Sequence, residues 1–260
     1  MRTTAFLLSL GLTSFGVVAA PPPVAVYAFN NSFASSVAGA PSLTVTDPHA
    51  TSGFASDVVF GSTQTIYNFV GTPDNPGQAG LSLSTAGLLT SNSIYTVEVL
   101  FKFTQRDNAW RRIVDVQNRQ SDNGFYVDPS NKLDVYPVAG GASFSNGVYH
   151  DVFLSDNNGV VKFYLDGSAQ ASINTAVMNI DSNNLMNFFL DNVVGGGQGE
   201  YSSGSVARIS LYNVALGDQE IPPPVPPPVP EPETYALMLA GLGVIGAAAR
   251  RRQREGIARL

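Results

Sequence analysis

Carboxylates are plentiful in this chain, but between residues 21 and 221 the only glutamates are Glu98, Glu200 and Glu220. Cleaving a glycosidic bond takes two carboxyl groups flanking it, one as acid and one as base or nucleophile. On a strand, two such groups reach one groove when they stand at alternate positions. The segment V-E-V-L-F-K around Glu98 has no carboxylate at that spacing, and Glu98 reads as a solvated face residue. Serine chemistry has no better footing, because G-x-S-x-G is missing and the only histidines are His49, in the loop TDPHAT, and His150, in a strand. GGGQG at 195–199 lacks the G-x-G-x-x-G spacing and no helix follows it, so it reads as a loop. Trp110, the only tryptophan, lies in the polar stretch QRDNAWRR. There it either stacks on a sugar ring or packs half-buried over the edge of a core. On these grounds the chain is expected not to be an enzyme.

The elements that must position such residues are strands. In IYTVEVLFKF, residues 94–103, Tyr95, Val97, Val99, Phe101 and Phe103 share one face while Thr96, Glu98 and Lys102 share the other, the period of a half-buried strand. VVKFYLDG alternates likewise, and its Asp166-Gly167 pair predicts a tight hairpin turn. Further strands are expected in VAVYAF at 24, RRIVDV at 111, GFYVD at 124, KLDVY at 132, YHDVFLS at 149, NFFLD at 187 and SVARISLYN at 205. Between them lie turn-forming runs such as QSDNG, DPSNK and SDNNG. Many short strands at this spacing predict an all-β antiparallel sandwich over residues 21–221.

Both ends differ from this body. Residues 1–20 carry one cation at Arg2, an uncharged apolar stretch and small residues at Ala19 and Ala20, the make-up of a secretory signal peptide. Pro21 disfavours a cut after Ala20, so cleavage after Ala19 is expected. The chain has no cysteine, which leaves packing to stabilise the fold without disulfides. Residues 21–221 hold eight Lys or Arg against seventeen Asp or Glu, a balance that argues against nucleic acid as partner. PPPVPPPVP at 222–230 reads as a stiff polyproline spacer, roughly 28 Å long at ~3.1 Å per residue. Residues 235–249 are uncharged and apolar. As a helix they reach only ~22 Å against a hydrocarbon core of ~30 Å, a short transmembrane span whose flanking arginines snorkel and stay cytoplasmic.

Two resemblances follow from these residues. The order FKF, IVDV, GFYVDPSNKLDVY, GVYHDVFLSDNNGVVKFYLDG and GSVARISLYNVALGDQEI resembles the laminin-G-like, concanavalin A-like jelly-roll family, with Tyr149, His150, Asp151 and Val152, then Tyr164 to Gly167, then Tyr212, Asn213, Ala215 and Leu216 at the matching positions. Tyr149 stands where that family usually has Trp, and Asp151 where it has a second His. The resemblance implies a jelly-roll sandwich that binds polysaccharide or glycoprotein. It also makes calcium a candidate ion, with Asp122 before GFYVD and Asp191 before the glycine loop as its ligands and Asx turns as the alternative. Pro230-Glu231-Pro232, the apolar run and Arg250, Arg251 and Arg252 together resemble the PEP-CTERM sorting signal of Gram-negative bacteria, residues 230–255. That resemblance implies processing by signal peptidase and then by exosortase, a membrane cysteine protease, and passage from an inner-membrane precursor to the cell surface or extracellular matrix. Two alternatives stay open: a divergent glycan hydrolase or lyase on the same fold, and a purely structural matrix protein.

Overall fold

The computed structural model describes residues 19–104, 108–194 and 200–223. Contacts divide the chain into a unit spanning Met1–Pro224 and a second spanning Val225–Leu260. The second unit lies outside the described residues, as do the expected signal peptide up to residue 18, nearly all of the proline spacer and the expected membrane span. No helix among the described residues is long and apolar enough to cross a membrane.

The described part is built of strands in two antiparallel sheets. The first sheet contains β1 (Ala25–Tyr27), β3 (Gly53–Val59), β4 (Ser62–Val70), β6 (Ile94–Phe103), β11 (His150–Asn157), β12 (Val160–Leu165), β13 (Ser168–Asn174) and β15 (Ser203–Tyr212). Its order is β13-β12-β11-β6-β15-β4-β3, with β1 also paired to β15. The second contains β2 (Thr44–Thr46), β5 (Gly80–Ser84), β7 (Arg111–Asp115), β8 (Gly124–Val127), β9 (Lys132–Tyr136), β10 (Ala139–Ser143) and β14 (Leu185–Phe188), in the order β10-β9-β8-β7-β14-β5-β2. The all-β sandwich expected from the period-two pattern is the fold observed.

Aromatic packing does the work that disulfides do elsewhere. From β6, Tyr95, Val97, Val99, Phe101 and Phe103 enter one core with Phe125, Val127, Leu133, Val135, Met186 and Phe188 of the facing sheet. Phe69 stacks on Phe189 with centroids 4.0 Å apart, and Phe101 lies 5.0 Å from Phe103 and 5.3 Å from Phe144. Each fully buried ring stabilises the fold by about 1.5–3 kcal/mol relative to exposure. Asp166 and Gly167 both adopt positive φ, 49° and 75°, which gives the tight hairpin turn expected between β12 and β13.

β6 departs from expectation in one respect: its second face is buried too. Thr96 and Glu98 are covered as fully as the core face, because the outer side of the first sheet carries its own apolar clusters. One groups Phe153, Tyr164, Leu216 and Ile221; the other groups Val59, Ile66, Leu100, Tyr149 and Ala207. Leu216 and Ile221 follow the last strand, and their segment is tied down where Leu216 N donates to Thr96 Oγ1 at 2.8 Å.

Candidate functional site

On the outer face of the second sheet the neighbouring strands β7, β8 and β9 bring Arg112, Tyr126 and Tyr136 together. Arg112 pairs across from Tyr126, and Gly124 pairs across from Tyr136. Gly124 stands two residues before Tyr126, on the same face, and leaves that face open. A Cβ there would meet Val114 O at 3.0 Å and Tyr126 Cε2 at 3.4 Å. Trp110, two residues ahead of Arg112, completes the group. The result is a recess of about 90 Å³ lined by Trp110, Asp122, Tyr126, Tyr136 and Glu200. Its three rings stand nearly perpendicular to one another: Trp110 and Tyr126 at 79° and 5.4 Å, Trp110 and Tyr136 at 73° and 5.2 Å, Tyr126 and Tyr136 at 78° and 6.4 Å.

Beneath the rings runs a buried polar network. Arg112, wholly buried, donates from Nη1 to Asp115 Oδ1 at 2.9 Å and from Nη2 to Asp191 Oδ1 at 2.9 Å. Its guanidinium also lies 4.6 Å from the centre of the Tyr126 ring, a cation–π distance. The Tyr126 hydroxyl donates to the carbonyl of Asp122 at 2.9 Å and lies 3.2 Å from Asp191 Oδ1. Asn192 Nδ2 donates to Asp122 Oδ1. Arg119 adds a second cation, donating from Nε to the carbonyl of Asp191 at 2.7 Å. Burial, and then the charge of Asp191, push Glu200 up to about 7, and burial also raises Asp191 against the pull of Arg112. This corner therefore holds more acid than its arginines neutralise.

Calcium takes about six to eight oxygen ligands, and the described residues do not by themselves supply such a cage. Asp191 Oδ1 is committed to Arg112, Asp122 Oδ1 accepts from Asn192, and a divalent ion on Asp191 would face a fixed guanidinium. Among the described residues no group of three or more acidic, histidine or cysteine side chains is placed to hold a metal ion.

A second carboxylate cluster lies on the outer face of the first sheet. Arg208 donates from Nε to Glu98 Oε1 at 2.8 Å, and its Nη2 is shared between that oxygen and Asp151 Oδ2, the latter at 3.2 Å. Burial, then the charge of Glu98, raise Asp151 to about 8. Glu98 is therefore a buried, paired carboxylate and not a solvated residue. Its partner is out of view in the local sequence because Asp151 arrives on β11, where Phe153 pairs across from Glu98 and Asp151 from Leu100.

Comparison with known proteins gives this architecture its family. Residues 75–222 match the Laminin_G_3 model, described as the concanavalin A-like lectin/glucanases superfamily. The chain belongs to that superfamily. Residues 228–252 match the PEP-CTERM protein-sorting motif. Among solved structures, domain 4 of AbnA, a GH43 extracellular arabinanase from Geobacillus stearothermophilus in complex with arabinotriose, aligns with a TM-score of 0.56 at 19% identity, over 76% of this chain and 96% of that one. A Trypanosoma rangeli sialidase in complex with 2,3-difluorosialic acid aligns with a TM-score of 0.47 at 15% identity, over 72% of this chain and 33% of that one. No curated protein matches the chain.

Membership of a superfamily that takes in glucanases as well as lectins corrects the expectation that this concanavalin A-like chain is not an enzyme. One solved structure that shares its fold, domain 4 of AbnA, is part of an arabinanase. Single strands carry no alternate carboxylates, whereas the folded chain brings acids together across strands and loops. Of the residues singled out in the sequence, Trp110 and Asp122 line one recess and Asp191 lies under it. Pro230, Glu231, Pro232 and Arg250 to Arg252 lie outside the described residues. Arg112, Tyr126, Tyr136 and Glu200 were not singled out. GFYVD and KLDVY were legible as strands, and the alternation within each places Tyr126 and Tyr136 opposite the core residues Phe125 and Val135.

Proposed function

We propose that the concanavalin A-like domain binds polysaccharide or glycoprotein glycan at the recess over β7, β8 and β9, on a surface protein delivered by its PEP-CTERM signal. The observation that carries this reading is the grouping of Trp110, Tyr126 and Tyr136 with the acceptors Asp122 and Glu200 in one open recess. Sugar sites combine apolar ring faces with a few convergent polar groups. Asp122 and Glu200 supply acceptors, and Arg112 is held back by Asp115 and Asp191. Arabinotriose, bound to the arabinanase domain that shares the fold, is a suitable first probe beside a wider glycan array. Wild-type chain retaining a ligand that Trp110→Ala loses supports the site; equal retention refutes it.

A second reading, glycan cleavage at the same recess, is favoured by Glu200. A carboxyl titrating near neutral pH beside other carboxylates suits a general acid. Incubating the array's ligands with the protein and assaying new reducing ends separates the readings. Release abolished by Glu200→Gln establishes cleavage, and intact ligand with preserved binding establishes a binding role.

The delivery part of the reading places signal-peptide removal near Ala19 and exosortase processing near Pro230-Glu231-Pro232, with the mature domain at the surface or in the matrix. Intact-mass measurement of the surface-released protein is expected to show loss of the segment from about Tyr235 to Leu260. Retention of Arg250 to Leu260 would make the tail a permanent anchor.

A further inference from the structure

The shape of the recess is more particular than a sugar platform. Platforms present ring faces side by side to a flat sugar face, whereas the planes of Trp110, Tyr126 and Tyr136 meet at 73–79°. Three nearly perpendicular rings at these separations bound a corner. Trp110 and Tyr136 line that corner above Tyr126, which is itself only 2% exposed, and a group seated there lies against the first two rings, inside the ~6 Å reach of cation–π attraction.

Charge favours a cation there. The arginines Arg112 and Arg119 face Asp115, Asp122, Asp191 and Glu200, so acid exceeds protein cation. Asp122 and Glu200 are the acids that line the recess. Tyr126 already carries one guanidinium on its ring, 4.6 Å from the centroid. In the free protein the surplus is relieved at Glu200, which holds its proton up to about 7. Anionic glycans meet repulsion at this recess.

We propose that the recess seats a primary ammonium group, so that the domain selects polysaccharide built of de-N-acetylated amino sugars over neutral, N-acetylated and uronic-acid chains. This rests on the reading of the recess as a glycan site and adds the chemistry that the site prefers. The ammonium enters the aromatic corner and is met by Glu200 and Asp122, while the rest of the sugar stays over the exposed ring of Tyr136.

The test is calorimetric titration of the full-length chain, held in mild detergent, with a glucosamine trimer, its N-acetylated counterpart, a neutral glucose trimer and a galacturonic acid trimer. Choline and a lysine-containing peptide serve as ammonium probes from other sources. The glucosamine trimer is expected to bind at least about tenfold more tightly than the other three sugars. That preference should shrink to about twofold in Glu200→Gln and vanish with binding itself in Trp110→Ala, with Tyr136→Leu as a milder second variant. Equal, Trp110-dependent binding of the glucosamine and N-acetylglucosamine trimers overturns the ammonium seat and leaves the glycan site standing. Failure of every sugar to bind a natively melting chain overturns the glycan site itself. Choline or the peptide binding more tightly than the glucosamine trimer overturns the amino sugar as occupant.

Discussion

The two outer faces of this sandwich hold the same ingredients in different settings. On the second sheet, Arg112 gathers Asp115 and Asp191 beneath Trp110, Tyr126 and Tyr136, with Asp122 and Glu200 lining the same recess. On the first, Arg208, its side chain 39% exposed, gathers Glu98 and Asp151, on the face that also carries the cluster of Phe153, Tyr164, Leu216 and Ile221. In both, burial lifts a carboxyl toward neutral pH. What separates them is the cover. The chain beyond the last strand folds back over the first sheet and turns its outer face into a second, smaller core, while the rings over β7 to β9 remain half-open. The arginine-centred carboxylates are thus wholly buried beneath the recess, where Arg112, Asp115 and Asp191 are out of contact with solvent, and partly open beside the smaller core, where Arg208 reaches it.

The largest effect should come from cutting the buried network under the recess. Arg112→Leu leaves Asp115 and Asp191 buried without their shared cation, a change that typically costs about 3–5 kcal/mol. Denaturant unfolding should show that loss, and a loss below about 1 kcal/mol would mean that the two carboxylates find water in the folded state. Next comes the covered face. Phe153→Ala should cost about 3 kcal/mol, the value for a ring in a packed interior. A cost near that of a surface residue would show that Leu216 and Ile221 do not seal the sheet. Trp110→Ala, at a half-open site, should destabilise by at least ~1 kcal/mol less than Phe153→Ala.

A smaller and slower effect is expected with pH. Asp151 keeps its proton in the folded chain up to about 8 but releases it near the usual value of 3.8 when unfolded. Between those limits unfolding releases a proton, so raising the pH favours the unfolded state. The contribution is fully present below about 4 and is lost as pH climbs to about 8. Glu200 acts in the same direction between its usual 4.5 and about 7. Melting temperature should therefore decline from pH 5 to pH 8 by more than the remaining groups explain. Glu98→Gln, which removes the neighbouring charge, should flatten the slope, and an unchanged slope would show that the covered face does not control it.

How far the sequence foretold these faces depended on whether the deciding contacts were local. The alternation from Tyr95 to Phe103 was legible because period two is a property of the strand itself. β3 and β4 were not, since Ile66 and Tyr67 are adjacent and both buried, one in the outer cluster and the other in the main core, which breaks the alternation. Glu98 was misread because Arg208, which pairs with it, and Asp151, which shares that arginine, arrive on β15 and β11, far along the chain. Trp110 was noticed as the lone tryptophan, and Asp122 and Asp191 through a resemblance. That they share one corner with Tyr126, Tyr136 and Glu200 follows from strand order and from the approach of Asp191, Asn192 and Glu200, which no local pattern encodes.

Because Trp110 is the only tryptophan in the chain and lines the recess, its fluorescence reports on that site alone. Titrating the protein with a glycan ligand whose binding is measured in parallel by calorimetry tests the central claim directly. If the recess is the binding site, the Trp110 emission changes in intensity or wavelength and saturates at the calorimetric dissociation constant. Heat of binding that saturates while the emission stays unmoved would place the ligand elsewhere on the sandwich and contradict the account.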